Sequence, residues 1–398
     1  MKERRPWRRT VVAIVLVAVV LATSLAMYHV IRTRTGKEVE VTTLIPYRKG
    51  DKWGFCNSNK KVIIPTVYDG ARPFSDGIAM VQTNGKFGCI NKDGSMVIPA
   101  IYSHIDAFSE DLALVGLDGE YRYLDKTGKT IIGLPSTCDS AGDFHDGRAW
   151  VMMRIEKKGY KYGFIDKEGN FAVEPVYDRA FDFYSGSAVV AVGQKYGVIN
   201  TSGKRIVPVE YDQEAWLTSE GPIPVAVGDK FGFVDLDGTM TIQPVYDYAW
   251  GFRDGLAQVS ADDKKFFIDT KGDKVIDIDT SYEEISGFSE GLAAVKVCGK
   301  WGYIDSKGTM AIQPSYDAAG SFHEGLAIVL VNGKEGCIKT DGSMAVPATY
   351  DANDYFLSDF HDGLALVQLI GKGSMVDGGD RPTIVGYIDT KGTQYWEN

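Results

Sequence analysis

The chain has 398 residues, 43 Lys and Arg against 53 Asp and Glu, a formal net charge of −10 and five cysteines. So acidic a chain is a poor nucleic-acid binder, because neutralising phosphates needs clustered Lys and Arg. Five cysteines in 398 residues do not make a disulfide scaffold, which would be short and cysteine-dense.

In chain order, Lys2, Arg4, Arg5, Arg8 and Arg9 precede an apolar stretch from Val11 to Ile31. At about 1.5 Å per helical residue, some twenty residues cross a hydrocarbon core of about 30 Å. The expected layout is a cytoplasmic basic tail at 1–10, a single transmembrane signal-anchor helix at 11–31, a linker at 32–46 and an extracytoplasmic domain at 47–398. The basic flank sets that orientation. The alternative is a secreted chain cleaved near Ser24-Leu25-Ala26, where small residues would suit a signal peptidase. Residues 1–37 carry eight Lys and Arg and one acid, and the remainder carries 35 against 52.

From residue 47 onward one unit recurs at a period of about 34 residues. Its reference position falls at Gly54, Gly88, Arg122, Gly163, Gly197, Gly232, Phe266, Gly302, Gly336 and Gly386. Seven units place an aromatic just before it: Trp53, Phe87, Tyr121, Tyr162, Tyr196, Phe231 and Trp301. A turn glycine follows six residues later in nine units, Gly94 and Gly308 among them. Then come a short apolar run, a proline and a Tyr-Asp pair, as in Ile242-Gln243-Pro244-Val245-Tyr246-Asp247. The unit closes on Phe-x-(Asp/Glu)-Gly-x-Ala, as in Phe288-Ser289-Glu290-Gly291-Leu292-Ala293.

Each unit reads as a three-stranded antiparallel meander. The first hairpin turns at Asn84-Gly85 or Asn332-Gly333, pairs that favour the positive φ of tight hairpins. In the second strand Phe231 and Phe233 lie on one face and Val234 on the other, so both faces should be covered. Proline is expected to end the third strand, since it cannot donate to the ladder. No helical period is sustained, so the domain is expected to be all-β.

The pattern Lys300-Trp301-Gly302-Tyr303-Ile304-Asp305, with the trailing Pro-x-Tyr-Asp and Phe-x-Glu-Gly-x-Ala, resembles the WG-repeat, or KWG-repeat, family of bacterial proteins. The resemblance covers about nine-tenths of the chain. Lys265-Phe266 and Lys334-Glu335-Gly336 depart from the motif, which bears on local packing. The family implies β-rich repeats, frequently on exported or surface proteins, with no general activity to carry over. Ten such units fit an open superhelical, solenoid-like β-array. The alternative is an unusually large propeller-like ring, against the usual four to eight blades.

Cys56 lies two residues after its reference glycine and Cys89 one after its own, hence on opposite strand faces and unfit to pair. Most of the cysteines read as small buried hydrophobes. His145, His323 and His361 share the Phe-His-(Asp/Glu)-Gly place, where other units have Ser75, Tyr184 or Arg253; this marks a tolerant turn. No metalloprotease, hydrolase, Walker or dinucleotide motif occurs, and neither a metal nor a cofactor is expected. Ser58-Asn59-Lys60-Lys61 and Lys126-Thr127-Gly128 mimic penicillin-interacting motifs, but both lie in repeat turns.

Two insertions enlarge the first hairpin of their units, one at 155–160 and the other at 371–383. Lys157, Lys158 and Tyr160 in the first, with Lys372, Met375, Asp377, Asp380 and Arg381 in the second, are the candidate interaction residues, since repeat proteins place recognition loops on one edge. The expected function is that of a membrane-anchored, non-enzymatic binding or scaffold module for a protein or cell-envelope polymer. An envelope hydrolase built from repeat-edge carboxylates is the alternative.

Overall fold

The computed structural model describes residues 43–212, 221–370 and 383–397. The expected tail and membrane helix, and most of the linker, lie outside them, as does nearly all of the second insertion. Among the described residues every regular element is a strand. The first is Ile45–Lys49, against an expected domain start at 47.

Among the described residues ten small sheets follow one another along the chain, each built on an antiparallel meander, eight of four strands and two of three. We number them as blades 1 to 10. Blade 2 is typical: Gly70–Ala71, Ile78–Thr83, Lys86–Asn91 and Met96–Tyr102, paired in that order. The long strands form the expected meander. The two-residue strand was not expected; it follows the Tyr-Asp pair of the preceding unit and adds a fourth strand to the new blade.

Blade 1 takes its fourth strand from the other end of the chain. Trp396–Glu397 lies parallel to Ile45–Lys49, with Arg48 opposite Trp396. The Arg48 Nε–H donates to the Val385 carbonyl at 2.6 Å, and Trp53 meets Tyr387 edge-on at 6.1 Å between ring centroids. The ten blades therefore close into a propeller-like ring, the alternative to the open array. An open array would leave unpaired edge strands at both ends, and joining the ends removes them.

The core lies between blades. Each aromatic-Gly strand sends one side chain forward and the next one back. Phe233 packs towards blade 7, with Phe252 at 5.1 Å, while Val234 packs towards blade 5, with Val225 and Val207. Both faces of that strand are covered, as expected. Phe252 belongs to the Phe-x-(Asp/Glu)-Gly segment, whose phenylalanine enters the seam and meets the ring of the preceding blade. The same wedge recurs as Phe55–Phe74, Tyr123–Phe144, Phe164–Phe183, Phe267–Phe288 and Tyr303–Phe322, all at 4.7–4.9 Å. Ten apolar clusters serve ten seams, the last joining Ile45, Tyr47 and Cys56 to Tyr395. Burial of one such ring is worth roughly 2–3 kcal/mol, so the repeated wedge is a principal source of cohesion.

Proline does not end the third strand. Val62–Tyr68 runs through Pro65 as a bulge: Trp53 faces Tyr68 and Phe55 faces Ile64, so three residues on one side span a single residue on the other. The protruding backbone crosses directly over Gly54, where a Cβ would stand 2.4 Å from the Ile64 carbonyl oxygen. The glycine and the proline, on adjacent strands one turn apart, are thus one device. Where Arg122 and Phe266 replace the glycine, the third strands Thr130–Gly133 and Lys274–Asp277 are short and contain no proline. In blade 10 the Trp396 ring covers Gly386 instead.

All five cysteines are free. Cys56, Cys89, Cys138 and Cys337 are buried, as small apolar fillers should be, and exposed Cys298 sits in a hairpin turn at φ 49°.

Candidate interaction surface

Most charged motif residues are occupied in holding the ring together. The Lys before the aromatic pairs with the Asp of Tyr-Asp: Lys52–Asp69, Lys161–Asp178, Lys230–Asp247 and Lys300–Asp317 at 2.5 Å, Lys195–Asp212 at 2.6 Å. The second carboxylate oxygen of each Asp accepts a backbone N–H from the first hairpin of the next blade, Asn84 to Asp69 and Asn332 to Asp317 at 2.6 Å and Gly193 to Asp178 at 2.8 Å. These partners hold the Asp carboxyls below the usual carboxylate range; for Asp69 the Lys52 bond leads, for Asp178 the Gly193 bond.

The acids of the Phe-x-(Asp/Glu)-Gly turns form a second inter-blade chain. Backbone N–H groups of Gly147, Gly186, Gly291, Gly325 and Gly363 donate to Glu110, Asp146, Asp254, Glu290 and Glu324 of the preceding blade, at 2.7–3.0 Å. His323 and His361 are exposed on these turns, and His323 Nε2 lies 3.8 Å from Asp359 Oδ2. Among the described residues no group of three His, Cys, Asp or Glu is gathered as a metal would need.

One acid stands apart. Asp143 precedes the seam residue Phe144, and its Oδ1 is buried with no hydrogen-bond partner. Burial pushes its carboxyl up to about 6, Asp106 and Asp182 of the flanking blades adding to the rise and His145 opposing it.

The candidate interaction residues divide. Lys157, Lys158 and Tyr160 occupy the hairpin between Ala149–Ile155 and Gly159–Ile165 in blade 4. Lys157 takes a left-handed φ of 64°, both lysines are exposed, and Tyr160 is 55% exposed. Lys372, Met375, Asp377, Asp380 and Arg381 lie outside the described residues. Their flanking strands pair Leu369 with Thr383, so the second insertion leaves blade 10 from the hairpin position that the first occupies in blade 4. Blades 4 and 10 are not neighbours in the ring, so the two insertions start from separate blades.

Two clefts were not foreseen. On blade 7, Tyr248 of the short strand and Trp250 just after it stack edge-on at 5.3 Å beside Phe231, bordering a cleft of about 270 Å³ lined also by Gln258, Ser260 and Lys265. A larger cleft, about 380 Å³, opens between blades 9 and 10, with Glu335 on its wall. The signals were present in the sequence, because Lys265-Phe266 and Glu335-Gly336 are the departures from the motif. They read there as packing changes.

The repeat is matched by the family described as WG containing repeat at 53–87, 87–121, 121–154, 162–196, 196–231, 231–264, 266–301, 301–334 and 336–372. The chain belongs to the WG-containing repeat family. Four of these matches, 53–87, 87–121, 162–196 and 196–231, run from the aromatic of one blade to that of the next, and the first break, 155–161, holds the blade 4 insertion. The chain matches no curated protein. Among solved structures it is similar to a eukaryotic initiation factor, with 13% identity over 80% of this chain and 95% of that one and a TM-score of 0.50. It also resembles Hsv2 of Kluyveromyces marxianus, at 9% identity, 74% and 88% coverage and a TM-score of 0.32. For Hsv2 of Kluyveromyces lactis the values are 10%, 75%, 91% and 0.28. The first likeness concerns fold alone, and the other two carry no argument.

Proposed function

We propose that the WG ring is a non-catalytic binding or scaffold module for a protein partner, held outside the cytoplasm by the apolar segment at 11–31. The observation that carries this reading is the use of the acids that recur from unit to unit. They accept seam and turn hydrogen bonds blade after blade, and this leaves the non-repeating side chains at hairpin tips and short strands as the variable surface. Closed rings of repeats offer many such positions on a rigid frame, which suits recognition. The basic tip Lys157-Lys158 with exposed Tyr160, on an otherwise acidic chain, combines an aromatic anchor with local charge.

The test is crosslinking of the intact protein in its native envelope, with the captured partner identified and then purified. Charge reversal of Lys157 and Lys158, or replacement of Tyr160 by Ser, should weaken that partner's binding at least tenfold while the ring stays folded. Unchanged binding would remove this tip from the account. An activity on a purified substrate abolished by neutralising one pair of carboxylates would replace the scaffold reading with an enzymatic one.

A further inference from the structure

In seven units an aromatic ring fills the place before the reference glycine, and in several it leans on the short strand of its own blade. Tyr121 meets His104 at 5.6 Å, and the Tyr196 hydroxyl accepts from Arg179 at 2.9 Å. Blade 9 lacks both partners: Glu335 replaces the ring and Ala318 the larger side chain opposite. Two reductions at one spot leave the cleft of about 380 Å³, walled by Ala318, Ala319, Leu330 and, from blade 10, Phe356.

The polar content of this cleft is one-sided. Glu335 is half-buried on the lining and accepts the Leu357 N–H at 2.9 Å through Oε2. Asp359 lies on the lining as well, and no Lys or Arg does. A carboxylate held among apolar side chains with one backbone donor is poorly compensated. Burial accordingly pushes the Glu335 carboxyl above its ordinary range, with the Leu357 bond opposing. Burial chiefly pushes the Cys337 thiol up to about 12, and the charges of Glu335 and Asp359 add to the rise. A cation entering here would supply the missing counter-charge, and its apolar body would cover Ala318 and Leu330 beside Phe356 on the same lining.

We propose that the cleft between blades 9 and 10 binds an organic ammonium group on a short apolar body, with Glu335 as its counter-ion. This goes beyond the scaffold reading and does not depend on it, since the site is a concave pocket far smaller than a protein interface.

The test titrates the full chain with pentylammonium chloride, with 1-pentanol as neutral isostere and pentanoate as anion, following the methyl resonances of Ala318, Ala319 and Leu330. Saturable shifts with pentylammonium, at least tenfold weaker with pentanol and absent with pentanoate, are expected. Glu335→Gln should weaken pentylammonium at least tenfold. Glu335→Phe, which restores the ring found in other units, should abolish binding with the unfolding midpoint preserved. Equal affinity for pentanol and pentylammonium, full binding by the Gln variant, or no saturable shift at all would overturn the proposal. Should the Phe variant fail to fold, the Gln variant and the pentanol comparison still decide it.

Discussion

Gly302 lies directly beneath the Ile312 carbonyl: a Cβ on Gly302 would stand 2.4 Å from that oxygen and 2.7 Å from the Pro314 nitrogen. The obstacle is backbone, fixed by the pairing of Trp301 with Tyr316 and Tyr303 with Ile312. Gly302→Ala should therefore cost about 3 kcal/mol or more, in the range of strained or overpacked core changes. Gly386→Ala meets the Trp396 side chain instead, and it should cost less and be relieved by Trp396→Leu. Urea unfolding of the three variants tests the ordering.

Lys60 stands where nine other units have the turn glycine, and it holds a left-handed φ of 60°. Ordinary side chains are disfavoured there by roughly 1–2 kcal/mol, partly offset by the greater freedom glycine loses on folding. Lys60→Gly should raise stability by about 0.5–1 kcal/mol, measurable as a higher melting temperature.

Asp178 joins Lys161 of its own repeat to the Gly193 N–H of the next blade. Asp178→Ala should lower stability by about 1 kcal/mol, the scale of one net hydrogen bond plus a screened ion pair. Because the folded carboxyl titrates below its unfolded value, the contribution is complete above the ordinary Asp range. It is lost as pH falls through the lower folded value. The difference between wild type and variant should vanish in acid, as thermal unfolding followed from pH 7 to pH 2 will record.

Asp143 carries the opposite sign. Its carboxyl is raised from 3.8 to about 6, so the folded protein holds this proton more tightly than the unfolded chain. Relative stability is greatest below pH 4 and declines as pH rises through about 6. Asp143→Asn should stabilise the protein at pH 8 by about 1 kcal/mol, discounted for solvent screening of a half-exposed group. The gain should shrink towards pH 4. A pH-independent effect of the substitution would show that the orphaned Oδ1 matters by its polarity and not by its charge.

Much of the blade was legible in the sequence because period-2 alternation and turn glycines carry it. The hairpins, both faces of the aromatic-Gly strand and the fate of the cysteines follow from spacing alone. The short strands Gly70–Ala71, Arg179–Ala180 and Ala318–Ala319 are too brief to show any alternation. Proline seemed a terminator because its missing donor was counted, whereas the bulge over the glycine needs none. Closure was hidden for a different reason. The Arg48–Val385 bond joins residues 337 apart, and a repeat period fixes how units are built without fixing the angle between them. The Glu335 cleft needed Ala318 and Phe356 brought beside it, from a strand and a blade that no local pattern places there.

Closure of ten blades into one ring is the central structural claim, and cysteines at positions 49 and 397 test it. Lys49 and Glu397 are paired across the closing strands, their side chains 3.3 Å apart. After Cys298→Ser, which removes the exposed native thiol, the Lys49→Cys/Glu397→Cys protein should form an intramolecular disulfide in high yield under mild oxidation. It should migrate faster on a non-reducing gel, remain monomeric and melt higher than its reduced form. Oxidation that yields only intermolecular dimers, with the two ends of the chain held apart, would contradict the ring and restore the open array.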